Sequence, residues 1–112
     1  MSDVRLINAT CPDCRGPLSE VIENGVREYR CLVEHRYSDV GLLHAHSEAQ
    51  ERALWAAVLV LEEASLIARD VAGHLPAGSS QGLLAQGGEK RQQAQAIRAV
   101  LEGTAAVHAG VR

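Results

Sequence analysis

Three cysteines lie in the first third of this 112-residue chain, and none follows them. Cys11 and Cys14 form a C-x2-C pair within the segment CPDCRG, and Cys31 precedes His35 by four positions in CLVEH. Thiolate sulfur and imidazole nitrogen are preferred ligands of zinc, and two such pairs can close a tetrahedral site. The residue types and their spacing therefore predict that Cys11, Cys14, Cys31 and His35 bind a structural Zn²⁺.

The same cysteines allow two other interpretations. A redox-active C-x2-C pair normally opens a helix, whereas Gly16-Pro17 would break a helix that began at Cys14. Core cysteines without a metal are the second alternative. Neither accounts for the spacing of all three cysteines and the histidine as the metal site does. Within the first pair, Pro12 is expected to fix the entry to a turn, and Gly16 is expected to take a positive φ angle just after it.

The residues between the two ligand pairs predict a β-hairpin. Asn24-Gly25 lies between two runs rich in Val, Ile and Tyr, which is typical of a two-residue turn. Counting outward from this turn predicts the cross-strand pairs Ile22–Arg27, Glu20–Tyr29 and Leu18–Cys31. One face of the hairpin would then carry Leu18, Ile22, Tyr29 and Cys31, with the metal at its open end. Such a hairpin is marginal alone, so the metal must help to hold it. A third short strand is expected around Val4, Leu6 and Ile7.

Beyond Tyr37 the apolar residues recur with a helical period. Ser38 is a candidate cap for a short helix through 41–43, and the capping box over 47–50 predicts the start of a long helix that ends near Ala72. Its apolar face consists of Leu54, Val58, Leu61, Ser65, Ala68 and Ala72. A second helix is expected over about 80–102, with a kink or a break at Gly87-Gly88.

These elements predict a small α+β fold, in which a zinc-bound, zinc-ribbon-like β-hairpin precedes an antiparallel helical hairpin. The expected boundaries are 1–37 for the zinc-binding hairpin, 38–104 for the helices packed with it in one compact unit, and 105–112 for a C-terminal tail.

Composition limits the function further. The net charge of −3 gives no general attraction to nucleic acid or to an anionic membrane. The first ten residues, MSDVRLINAT, contain no apolar run typical of a signal peptide, and no uninterrupted apolar stretch approaches the ~18 residues of a membrane span. A cytoplasmic protein is expected.

The motifs together resemble the zinc-binding C-terminal tail associated with chemotaxis methylesterase (CheB-like) proteins. The resemblance runs from residue 10 to about residue 102, through TCPDCRGPLSEVIENGVREYRCLVEHRYS, ALWAAVLVLEE and a later IRAVL segment. By position it implies Cys11, Cys14, Cys31 and His35 as the metal ligands. It also implies a bacterial accessory module in chemotaxis-like or two-component signalling, here without the methylesterase domain.

The chain departs from that pattern in two places. Glu34 stands where the pattern usually has Gly, and a positive φ angle there would strain Glu and reshape the loop. His44 or His46 would then be the alternative fourth ligand. No G-x-S-x-G motif is present, so esterase activity is not expected, and the protein is not predicted to be an enzyme.

Three classes of function are consistent with a zinc module. A protein-interaction or regulatory module is favoured, with a partner or a second copy expected to cover Trp55, Leu59 and Leu66, because the first long helix is apolar over more than half its circumference. A zinc-ribbon nucleic-acid-binding regulator is the alternative, suggested by Arg5, Arg15, Arg27, Arg30 and Arg36. Residues 1–46 also contain seven acidic residues, however, and no row of aromatic residues offers base stacking. A metalloenzyme ranks third, because four protein ligands leave zinc no open position for water.

Overall fold

The backbone of residues 3–110 and the side chains of residues 3–103 are described by a computed structural model. The predicted α+β class is confirmed: a four-stranded antiparallel sheet precedes two helices. The elements are β1 (Asp3–Thr10), β2 (Pro17–Glu23), β3 (Val26–Arg30), β4 (Arg36–Tyr37), α1 (Asp39–Ala72) and α2 (Ala77–Gly110). The chain divides after Gln50 into two compact units, called here the sheet unit and the helical unit. None of the described helices is both long and apolar enough to cross a membrane.

The sheet follows the chain order, β1-β2-β3-β4, so that each strand pairs with its neighbour in sequence. The predicted hairpin register is confirmed at Glu20–Tyr29 and Ile22–Arg27. Asn24 and Gly25 both take positive φ angles, 53° and 79°, as the tight two-residue turn requires. β1 adds the expected strand at the N-terminal side, and β4 adds a short one after the second ligand pair.

The sheet unit has a very small core. Its buried cluster consists of Cys11, Leu18 and Cys31, and partly buried residues pack around it: Ile7, Tyr29, Tyr37 and Leu42. Two of the three central side chains are therefore predicted metal ligands. The central cluster and the candidate metal site share Cys11 and Cys31, and Val21 and Ala49 are further buried apolar residues of this unit.

Helix α1 begins earlier than the sequence pattern predicts. Ser38 is its N-cap: the Gly41 amide donates to Ser38 Oγ at 3.0 Å, and the Leu42 amide donates to the Ser38 carbonyl at 2.9 Å. The prediction of a separate short helix and of a new start at Ser47 is wrong. No proline interrupts residues 39–46, and Gly41 lies in the first turn, so the helical hydrogen bonds continue through Ser47. The predicted end is correct, since the Gly73 amide donates to the Arg69 carbonyl at 3.1 Å just after Ala72.

The helical unit packs α1 against α2 through small and branched side chains. Val58, Ala94 and Leu101 form its buried cluster, with Leu54, Leu61 and Ile97 around them. Ser65 and Ala72, on the predicted apolar face of α1, are also buried. Ala94 packs with Val58, whereas the earlier residue Gly87 approaches the later residues Ser65 and Ala68 of α1. The two helices therefore run in opposite directions, which is the expected antiparallel hairpin.

Helix α2 continues through the glycine pair where a kink or a break is predicted. A Cβ atom at Gly87 would lie 3.2 Å from Ala68 Cβ and 3.3 Å from the Ser65 carbonyl, so glycine permits the close approach of α1. Packing therefore explains this residue better than a helix break does. The helix also runs to Gly110, through most of the segment that the sequence assigns to a tail.

Candidate metal centre

The four predicted ligands come together in the sheet unit. Cys11 and Cys14 lie in the loop between β1 and β2, while Cys31 and His35 lie in the loop between β3 and β4. Both loops are at the end of the sheet opposite the Asn24-Gly25 turn. Their four ligand atoms all lie within 4.8 Å of one another. This group could hold a metal ion.

The first loop is shaped by short backbone hydrogen bonds. The Cys11 amide donates to the Gly16 carbonyl at 2.7 Å, and the Arg15 amide donates to the Cys11 carbonyl at 2.8 Å. The positive φ angle predicted for Gly16 lies at Arg15 instead, at 64°. The tight return to the Cys11 carbonyl is completed at Arg15, so the left-handed residue is needed one position earlier. Gly16 has another role: its amide points at Cys14 Sγ, 3.4 Å away.

The second loop confirms that the position before the histidine has a positive φ angle. Glu34 has a φ angle of 71°, in the left-handed region that favours glycine. Its amide donates to the Cys31 carbonyl at 3.1 Å, and the His35 amide points at Cys31 Sγ at 3.3 Å. The strained residue therefore closes the loop that directs the imidazole toward the cysteines.

The two alternative histidines have other partners. His44 Nε2 lies 3.0 Å from a Glu48 carboxylate oxygen, and His46 Nδ1 lies 3.2 Å from the Gln50 side-chain amide. Neither histidine belongs to the group formed by the three cysteines and His35.

The distances between the ligand atoms suit one tetrahedral ion. Cys14 Sγ lies 3.6 Å from Cys31 Sγ. His35 Nδ1 lies 3.3 Å from Cys31 Sγ and 3.6 Å from Cys11 Sγ. Metal–sulfur bonds of about 2.3 Å at tetrahedral angles separate two sulfurs by about 3.8 Å. The side chains of the two loops could therefore hold one metal ion between them.

The electrostatics of the group favour thiolates at two of the three cysteines. Burial would raise the pKa of Cys11, but hydrogen bonds with the Tyr37 hydroxyl and with backbone amides outweigh burial and lower this pKa to about 6. The pKa of Cys31 is also lowered, because backbone amides including that of His35 outweigh the effect of burial. Hydrogen bonds with the sulfurs of Cys31 and Cys11 raise the pKa of His35.

Cys14 differs from the other two cysteines. The Gly16 amide lowers its pKa, but desolvation and the neighbouring thiols together outweigh that bond, so the pKa is raised. In the metal-free group Cys14 is therefore the thiol that keeps its proton most firmly. A divalent ion reverses this preference, because it favours every ligand in its deprotonated form.

Two residues behind the ligands were missed by sequence reasoning. The Tyr37 hydroxyl lies 3.2 Å from Cys11 Sγ and within hydrogen-bond distance of the Asp13 carboxylate. Burial is the main cause that raises the pKa of Tyr37, and the Asp13 contact raises it further, so the hydroxyl keeps its proton. Such partners orient metal ligands. The only sequence signal was a tyrosine two residues after the histidine, which the hairpin pattern does not connect to Cys11.

The predicted partner-binding residues lie in the helical unit and are accessible. Trp55, Leu59 and Leu66 are 47%, 57% and 59% exposed. The Arg98 guanidinium lies 5.6 Å from the centroid of the Trp55 ring, within the range of a cation–π contact. Trp55 is thus held on one side by α2 while part of its surface remains open.

Comparison with known proteins adds no relative: no protein-family model, curated protein or solved structure matches this chain. The features of the chain that bear on its function are the group of three cysteines and His35 and the surfaces of the two units.

Proposed function

We propose that this protein is a small structural-zinc module that acts as a protein-interaction or regulatory accessory. The observation that carries the proposal is the convergence of Cys11, Cys14, Cys31 and His35 within 4.8 Å. Three sulfurs and one imidazole nitrogen form a soft ligand set, which suits zinc rather than magnesium or calcium. With four protein ligands the ion has no open position for a substrate or a water, so its role is structural.

The small core of the sheet unit explains why such an ion would be needed. Leu18 is the only buried side chain of the central cluster that is not a predicted ligand. A sheet of this size has too little apolar surface to compensate for its conformational entropy. Bonds from one ion to both loops would close the sheet at the end opposite the Asn24-Gly25 turn, and the free energy of metal binding would become free energy of folding.

The helical unit supports the interaction part of the proposal. Five large apolar side chains of α1 are between 47% and 63% exposed: Trp55, Leu59, Val60, Leu66 and Ile67. A helix that is apolar on several sides is normally covered on more than one side, whereas α2 covers only one. We therefore assign this surface to a protein partner or to a second copy of the chain. The motif resemblance to the tail of chemotaxis methylesterase proteins supports a cytoplasmic role in bacterial signalling.

The nucleic-acid alternative loses support from the charge distribution. Four of the five arginines that suggested it contact glutamates: Arg5 and Arg27 lie 3.0 and 3.8 Å from Glu20, Arg30 lies 2.7 Å from Glu28, and Arg36 lies 3.3 Å from Glu34. These contacts leave little local excess of positive charge for a phosphate backbone. The interaction module therefore remains the better proposal.

Metal analysis and sedimentation test both parts. We expect one zinc per chain in the purified protein, and much less in Cys14→Ser purified in parallel. We also expect Leu59→Glu to weaken self-association or partner binding without changing the zinc content. If no cysteine substitution released metal, the zinc module would be refuted. A monomer at high concentration that binds no partner would refute the interaction role alone.

A further inference from the structure

Two adjoining cavities lie between α1 and α2 in the helical unit. Their volumes are about 200 Å³ and about 380 Å³, and Ser65, Arg69 and Arg91 line both of them. Arg69 comes from the end of α1 and Arg91 from the middle of α2, so the two arginines line one shared space from opposite helices. We call this space the interhelical groove.

The groove carries an excess of positive charge. Its charged residues are three arginines and one glutamate, Arg69, Arg91, Arg98 and Glu62. Arg98 is already engaged, because its Nε and Nη2 donate to Glu62 Oε1 at 3.0 and 2.7 Å. Among the described side chains, neither Arg69 nor Arg91 forms an ion pair or a hydrogen bond. One glutamate against three arginines leaves a net charge of +2 in the groove.

An oxyanion would relieve the repulsion between Arg69 and Arg91. Two unpaired cations that face the same space repel each other, and an anion between them turns repulsion into attraction. The guanidinium fork offers parallel N–H donors that match the oxygens of phosphate or carboxylate. A dianion would balance the charge of +2 better than a monoanion, and a phosphate monoester carries a charge of about −1.5 to −2 at pH 7.

The rest of the groove fits an organic group beside that anion. Leu66 and Leu84 line one cavity each and provide apolar walls. Gly88 keeps its side open, because a Cβ atom there would meet nothing within 4 Å. An apolar wall with a few convergent polar groups is the usual composition of a small-molecule site, and the volumes suit a small ligand.

We propose that the interhelical groove binds the phosphate monoester of a small organic molecule, with Arg69 and Arg91 on the phosphate and Leu66 and Leu84 against the organic part. Inorganic phosphate shares the charged group and lacks the apolar part. It therefore separates the two contributions.

Calorimetric titration of the zinc-loaded protein with phenyl phosphate and with inorganic phosphate tests the proposal. We expect phenyl phosphate to bind more tightly than inorganic phosphate. Arg69→Gln and Arg91→Gln should each lower the affinity for phenyl phosphate by roughly tenfold, because each removes charge-assisted hydrogen bonds. Arg52→Gln is the matched control: it removes an exposed arginine of α1 that does not line the groove, so affinity should change less than twofold. Circular dichroism confirms that each variant is folded.

Three results would overturn the assignment. Absence of binding of both probes at millimolar concentration would refute the site. An equal loss in Arg52→Gln would show that net charge alone attracts phosphate. Equal affinities for the two probes would refute the role of Leu66 and Leu84, and with it the organic ligand.

Discussion

His35 Nδ1 lies 3.3 Å from Cys31 Sγ because Glu34, between them in the loop, has a φ angle of 71°. An unfavourable backbone conformation at one residue thus brings the imidazole of the next residue to the cysteines. The backbone strain is confined to Glu34. The position that it gives to His35 stabilises the protein only when a metal ion binds both loops.

The identity of the fourth ligand can be tested with two histidines. His35→Ala should lower the affinity for zinc by more than about 100-fold. Even residues that only contact the ligands typically contribute about 10- to 100-fold to metal affinity. His44→Ala should leave the affinity unchanged, because His44 contacts Glu48 outside the group. Competition with a chromophoric chelator measures both constants. The assignment is wrong if His35→Ala retains wild-type affinity while His44→Ala loses it.

Removal of the metal should unfold the sheet unit selectively. The central buried cluster of this unit contains two ligands and one leucine, so residues 4–37 should lose their structure when a chelator is added. The packed helices should keep much of their helical circular dichroism. Amide spectra with and without chelator provide the measurement, with Val21 and Gly25 as reporters of the hairpin. Unchanged hairpin signals in fully metal-free protein would contradict this prediction.

Replacement of Glu34 by glycine should stabilise the zinc-loaded protein. A non-glycine residue in the left-handed region costs roughly 1–2 kcal/mol, part of which glycine returns through the entropy of its unfolded state. The Glu34–Arg36 ion pair is exposed on both sides and contributes little to the outcome. We expect the free energy of unfolding, measured by urea titration, to increase by about 0.5–1 kcal/mol. Val33→Gly, next to it but without a positive φ angle, should destabilise. A lower urea midpoint for Glu34→Gly would contradict the prediction that the backbone is strained at Glu34.

The two adjacent glycines of α2 should respond differently to alanine. A Cβ atom at Gly87 would lie 3.3 Å from the Ser65 carbonyl, which belongs to the α1 backbone and has little freedom to move. Gly88→Ala meets no atom within 4 Å and should gain up to about 1 kcal/mol from helix propensity. We expect Gly87→Ala to be less stable than Gly88→Ala by about 1–3 kcal/mol, the usual cost of overpacking. Urea unfolding followed at 222 nm gives both values, and equal stabilities would show that the close approach is not maintained in solution.

Zinc binding should release protons near pH 7. The raised pKa of Cys14 means that this thiol is protonated in the metal-free group, and the raised pKa of His35 increases its protonated fraction. The metal needs both groups deprotonated, so its affinity should increase with pH and fall as the solution becomes acidic. Calorimetry in two buffers with different ionisation enthalpies counts the protons. Identical heats in both buffers would contradict release.

Several features of this protein follow from short stretches of sequence. The C-x2-C pair with Cys31 and His35, the Asn24-Gly25 turn and the end of α1 at Ala72 all depend on residues a few positions apart. Turn geometry, strand register and helix termination are local properties, determined by backbone preferences and by hydrogen bonds over one or two turns. For that reason the hairpin register could be predicted at Glu20–Tyr29 and Ile22–Arg27.

Other features depend on how distant segments meet. The sequence left three histidines as candidates for the fourth ligand, and the folded second loop brings His35 to the cysteines. Gly87 looks like a helix breaker until α1 is placed against it. Arg69 and Arg91 are ordinary surface residues in sequence and share one groove only because two antiparallel helices pack at a particular rotation. Packing between residues more than twenty positions apart is set by the whole interface, so no local pattern encodes it.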